Sequence, residues 1–122
     1  MRNILLVDDE TDMFPLFNIK FKKEIKKGEV KFIFFSSSID ALNFIKGASP
    51  EDFELVISDI SMPDMDGLEL LREIKLNDLK QKVYIISGLK NEALVDRARG
   101  LGAAGFLDKP IDFNELKELI LS

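Results

Sequence analysis

Five short, mostly apolar runs, Ile4–Val7, Val30–Phe35, Leu55–Ser58, Val83–Ile86 and Ala103–Leu107, punctuate the chain at intervals that each hold one helix. A run such as Ile4–Val7, apolar at every position, suits a central strand covered on both faces. The intervening stretches read as helices over Asp12–Lys27, Ser38–Lys46, Gly67–Lys75 and Asn91–Leu101, with a closing helix carrying Leu116, Leu119 and Ile120. Pro15 fits the first of these only inside the opening turn, Gly28 ends it, and Asp112 with Glu115 forms a capping-box variant before the last. Strand and helix alternating in this way predict a (βα)5 α/β fold: a three-layer sandwich with a parallel five-stranded sheet, helices on both faces and right-handed crossovers. With neither a linker nor a repeat, residues 1–122 read as one domain.

The composition removes many chemistries. There is no cysteine and no histidine, so thiolate and imidazole catalysis, disulfides and the usual zinc sites are excluded, leaving carboxylates, lysines and hydroxyls. A net charge of −5 argues against direct nucleic-acid binding. Lys20, Lys22, Lys23, Lys26 and Lys27 form a local basic cluster, read as a solvated helix face whose last-turn charges complement the helix dipole. No apolar run approaches the roughly 20 residues of a membrane span, and the first residues lack a signal peptide's long apolar stretch, so a cytoplasmic location without membrane contact is expected.

Ligands of such sheets bind beyond the carboxyl ends of the strands, where strand order reverses. The residues there are Asp8 and Asp9 after the first strand, Asp59 after the third, Ser87 after the fourth and Lys109 after the fifth. Three carboxylates brought together by neighbouring strands repel one another unless they protonate or share a cation, and Mg²⁺ suits an all-oxygen set. A carboxylate is also a competent nucleophile toward phosphorus, while Mg²⁺, Lys109 and the Ser87 hydroxyl have the chemistry to neutralise or hydrogen-bond phosphoryl oxygens. Which carboxylate accepts is left open by this reading alone.

The motifs Leu-Leu-Val-Asp-Asp-Glu (5–10), Val-Ile-Ser-Asp-Ile-Ser-Met-Pro-Asp-Met-Asp-Gly (56–67), Ile-Ile-Ser-Gly (85–88) and Lys-Pro (109–110) together resemble a receiver domain of two-component response regulators, over essentially the whole chain. The resemblance implies a flavodoxin-like sheet of order 2-1-3-4-5 and a phosphoaccepting switch, not a turnover enzyme. It implies Asp59 as phosphoacceptor, Asp8 and Asp9 holding Mg²⁺ with Asp59 and the Ser61 carbonyl, Ser87 as switch hydroxyl and Lys109 as phosphoryl ligand. It further implies a phosphohistidine donor, on a sensor histidine kinase or a histidine phosphotransfer protein, and an unidentified downstream protein bound through the fourth helix, fifth strand and fifth helix. Lys90, Arg97, Phe106 and Phe113 are the contact residues expected on that face, with a monomer or weak dimer as the assembly.

Some positions depart from the family's pattern or carry other readings. Phe106 stands where the family often has tyrosine, and is read either as an apolar rotor of the switch or as plain core. Ser61 and Leu89, two residues past Asp59 and Ser87, stand at positions which, by the resemblance, tune attack of water on the acyl phosphate, with Leu89 expected to shield it. Lys109-Pro110 is expected to be cis, as the family usually has it. Asp64 and Asp66 read as turn and helix-cap carboxylates, and an EF-hand reading fails because its first ligand position falls on Met62. Two other function classes stand beside the switch: an aspartate-nucleophile phosphohydrolase resembling the haloacid dehalogenases, whose usual motif does not match because the second acidic position after Asp8 carries Glu10, and a constitutive binding module that is never phosphorylated.

Overall fold

The computed structural model describes residues 2–49, 52–77, 81–88 and 91–121. In chain order the elements are β1 (Arg2–Val7), α1 (Met13–Lys20), α2 (Lys22–Lys26), β2 (Val30–Phe35), α3 (Ser38–Gly47), β3 (Leu55–Asp59), α4 (Gly67–Leu76), β4 (Lys82–Ser87), α5 (Glu92–Gly100), β5 (Gly105–Asp108) and α6 (Phe113–Leu121). The sheet is parallel throughout with strand order β2-β1-β3-β4-β5. This is the flavodoxin-like order, and it reverses direction between β1 and β3.

Side chains of successive strand residues point to opposite faces, so the sheet feeds two separate cores. Leu5 and Val7 of β1, Val56 of β3 and Val83 and Ile85 of β4 face α3, α4 and α5, where Ala41, Ile45, Leu70, Leu71, Ile74 and Ala98 are buried. Ile4, Leu6, Leu55, Ile57 and Ile86 face the other way, onto Phe17, Phe21, Leu116 and Ile120 of the α1–α2 segment and α6. Continuous apolar strands therefore become a three-layer sandwich because both faces must be covered. Aromatic side chains finish the second layer: Phe17 meets Phe32 edge-on at 5.4 Å and Phe113 at 5.2 Å, and Phe14 stacks on Phe34 at 4.7 Å. The phenylalanines of β2 are thus half-buried rather than bare along the sheet edge.

The helix expected over Asp12–Lys27 is divided in two at Phe21, whose backbone leaves helical geometry at φ −104 and ψ 18. Hydrogen bonds from Phe21 N–H to Phe17 and from Ile25 N–H to Phe21 keep the halves in line, and Phe21 itself is fully buried. Pro15 lies in the first turn of α1, where its missing N–H costs nothing. At the far end Gly28 adopts φ 72, its N–H bonds to Ile25 and the Glu29 N–H to Glu24, a Schellman motif that an L-residue at 28 would strain. Because of the division, the fourth and fifth helices of the sequence reading are α5 and α6.

Candidate functional site

Asp59 is the last residue of β3, and Asp8 the first past β1, its neighbour in the sheet. Both are buried, Asp8 fully and Asp59 with 3% exposure. The backbone N–H of Glu10 donates to Asp8 Oδ1 at 2.9 Å, whereas Asp8 Oδ2 is buried with no hydrogen bond. Burial pushes the Asp8 carboxyl up to about 6; the Glu10 N–H opposes the rise, Asp59 adds to it and Lys109 opposes it.

Lys109 follows β5 and reaches into the pocket. Its Nζ lies 3.3 Å from Asp59 Oδ2, 3.3 Å from Glu10 Oε1 and 3.6 Å from Asp8 Oδ2. Burial pulls the ammonium's pKa down, but the charges of Asp8 and Asp59 outweigh it and hold it above its ordinary value. Its backbone is fixed as well: Lys109 N–H donates to the Ser87 carbonyl at 2.9 Å, and the following Lys109-Pro110 bond is cis, as expected. Ser87, last in β4, is buried at 1% exposure, one strand across from Asp59.

The chain after Asp59 is closed into a tight loop by a hydrogen bond from Gly67 N–H to the Ile60 carbonyl at 2.9 Å. Gly67 packs against the Asp59 carbonyl so closely that a Cβ there would overlap it, and would stand 2.9 Å from Ile60 Cα. Asp66 caps α4 through the Glu69 N–H at 2.8 Å, as the sequence suggests. Asp64 does more than support its own turn. It accepts from the Ser37 and Ser38 hydroxyls at 2.6 and 2.7 Å, from the Ile39 N–H at 3.2 Å and from the Met65 N–H at 2.9 Å, bolting this loop to the start of α3. Burial acts to raise its carboxyl, yet these bonds prevail and hold it well below the usual carboxylate range.

Asp8 and Asp59 therefore converge as the strand-end rule requires, but the third carboxylate beside them is Glu10 and not Asp9. Oxygens of Asp8, Glu10 and Asp59 all lie within 4.8 Å of one another. Asp9 is exposed and lines an adjacent open cavity of about 480 Å³ with Ser61, Met62, Asp66, Leu94 and Arg97. Past the end of β1 the chain bends, leaving Asp8 buried, Asp9 exposed toward the adjacent cavity and Glu10 reaching back to Lys109. The signal for Glu10 was its place in an unbroken acidic run; nothing in the sequence signalled Asp64's tie to α3, since Ser37, Ser38 and Ile39 lie more than twenty residues away.

Of the residues expected on the partner face, Phe106 is half-buried in β5 and shares a small cavity with Val95, Ala98 and Arg99 of α5. Arg97 lines the cavity beside Asp9 instead, with Leu94 of the same helix. Phe113 turns toward α1, with Phe17 edge-on and the Lys20 ammonium 5.9 Å from its ring, so it belongs to the opposite layer. Leu89 and Lys90 lie outside the described residues. Among those described, no helix is long and apolar enough to cross a membrane.

The family model for the response regulator receiver domain matches residues 4–121. Chemotaxis protein CheY of Treponema pallidum (strain Nichols) is 42% identical over 84 residues, covering 69% of this chain and 58% of that protein. Sporulation initiation phosphotransferase F of Bacillus subtilis (strain 168) is 30% identical over 117 residues, covering 96% of this chain and 89% of the relative. Against a further curated relative the chain spans 34% of that protein's length. The crystal structure of the signal receiver domain of a putative Luxo repressor protein from Vibrio parahaemolyticus superimposes with a TM-score of 0.86 at 30% identity, covering 98% of this chain and 88% of that one. A match running over nearly the whole chain, on a sheet wound in the order its motifs imply, means that this protein belongs to the response regulator receiver domain family of two-component systems.

Proposed function

We propose that the chain is a phosphoaccepting switch in which Asp59 takes one phosphoryl group from a phosphohistidine donor. The observation that carries this reading is the direct approach of Lys109 Nζ to Asp59 Oδ2, 3.3 Å, in a largely buried pocket at the strand ends. An Asp59 oxygen forms the bond to phosphorus while the donor's P–N bond breaks, its electrons remaining with the imidazole, which takes up a proton. The Lys109 ammonium neutralises a phosphoryl oxygen, and the Ser87 hydroxyl, buried on the neighbouring strand, donates to another.

The donor set fits Mg²⁺: hard oxygen ligands, a fully buried carboxylate oxygen without a hydrogen bond, and no softer competitor. Asp8, Asp9 and Asp59 with the Ser61 carbonyl would hold it, Asp9 and Ser61 from the cavity side. When bound, it supplies positive charge that offsets the phosphoryl oxygens. The histidine donor sits on a sensor kinase or a phosphotransfer protein, and the output is a changed affinity for a downstream protein at α5, β5 and α6, with Phe106 as a rotor between them. Uptake is limited to one phosphoryl group per chain, so the domain is no turnover enzyme.

Intact mass after incubation with Mg²⁺ and acetyl phosphate tests this directly. One phosphoryl adduct that requires Mg²⁺ and disappears in Asp59→Asn is the expected result. Release of many phosphates per chain would identify a hydrolase, and an unmodified, non-hydrolysing wild type would leave a constitutive binding module.

A further inference from the structure

Glu10 has no part in the roles assigned above, yet its side chain reaches into the same pocket. Its side chain is mostly exposed, 66%, while Oε1 lies as close to Lys109 Nζ as Asp59 does, 3.3 Å in both cases. The backbone of Glu10 does its structural work separately, its N–H bonding to Asp8 and its carbonyl accepting from Met13. The side chain serves neither bond. What it does is place a third negative charge over a site that already holds two, drawn there by a single ammonium.

We propose that Glu10 is a charge competitor at the mouth of the acceptor site: it divides Lys109 with Asp59 and opposes the approach of anionic phosphoryl donors, thereby setting the rate of uptake. This rests on Asp59 being the acceptor. An incoming phosphoryl group must displace Glu10 from Lys109 before the ammonium can serve it, and must pass within a few ångströms of a like charge. With acetyl phosphate an Asp59 oxygen forms the bond to phosphorus, the P–O bond to the acetyl group breaks, and acetate leaves with its electrons. Two unit charges about 5 Å apart in a partly solvated cleft interact strongly enough to change a rate about three- to tenfold. Such an effect is screened by salt and grows with the donor's charge.

The test compares initial rates of Asp59 phosphorylation in wild type and Glu10→Gln at saturating Mg²⁺, with acetyl phosphate and with the less negative phosphoramidate, at low salt and in about 1 M NaCl. Mg²⁺ affinity is read in parallel by calorimetry, and folding by thermal denaturation. Glu10→Gln is expected to be phosphorylated about three- to tenfold faster by acetyl phosphate at low salt, less so by phosphoramidate, and less than about twofold faster at high salt. Its Tm should stay within about a degree or two, and Glu10→Ala should shift the rate in the same direction. A rate that is unchanged or lower in a folded Glu10→Gln overturns the inference, and a loss of Mg²⁺ affinity beyond about thirtyfold would make Glu10 a metal ligand instead. A wild type that takes up no phosphoryl group overturns the assignment of Asp59, and the inference with it.

Discussion

Gly67 shows how narrowly single residues shape this pocket. Its φ is unremarkable, so the constraint is space: a methyl group would overlap the carbonyl of Asp59, the residue whose side chain holds Lys109. Backbone cannot swing aside as a flexible side chain can. Gly67→Ala is expected to cost about 2 kcal/mol in urea unfolding, and to slow phosphorylation of Asp59 beyond what the lost stability explains. A variant with wild-type stability and rate would mean that the loop has room. Glu10 teaches the converse, since an exposed residue can matter by charge alone, without packing. Both were visible as letters in the sequence, but a glycine's Cβ clash and a glutamate's reach across to Lys109 depend on strands that are distant along the chain.

At the scale of elements, the loop between β3 and α4 is held at its ends by Ile60 and Gly67 and in its middle by Asp64, which ties it to α3. Asp64→Ala strands two hydroxyls and two N–H groups that had a charged acceptor; because the site is exposed, a loss of about 1–2 kcal/mol is expected. The sign of its pH dependence follows from the lowered carboxyl. The unfolded group titrates near 4, so the stabilisation is complete above that pH and fades as the pH falls toward the folded value. Denaturation curves of wild type and Asp64→Ala should therefore converge on acidification below about pH 4, and a gap that stays constant would remove the carboxylate from the account. The Schellman turn at Gly28 and the Asp66 cap were legible from local sequence because their partners lie within a few residues. The division between α1 and α2 was not, because it follows from seating Phe21 against Phe32 and Phe113.

For the molecule as a whole, the pocket sets fold stability against readiness to bind a cation. Asp8, raised from 3.8 to about 6, contributes stability that is present below its unfolded value and lost as the pH rises through about 6. Without divalent ion the protein should thus be less stable at pH 7 than at pH 5 by roughly 1 kcal/mol from this group. Mg²⁺ at about a hundred times its dissociation constant should return about 2.7 kcal/mol at pH 7. In Asp8→Asn both effects should vanish, with the ion-free variant more stable than wild type at pH 7; thermal scans with and without Mg²⁺ decide it, and a wild type indifferent to both would break the link. The alternation of apolar runs with amphipathic stretches, and the acids that end the first and third runs, were sufficient to determine the α/β class and to direct attention to Asp8, Asp59, Ser87 and Lys109, because strand burial and strand-end polarity are local properties of sequence. Only the tertiary structure decided that Glu10 rather than Asp9 reaches Lys109, that Asp64 belongs to α3 as much as to its own loop, that Phe113 packs in the layer opposite Phe106, and that Arg97 lines a different cavity from it. Those outcomes depend on which way a side chain turns once the sheet has been wound, and that direction is set by neighbours that come together only in the fold.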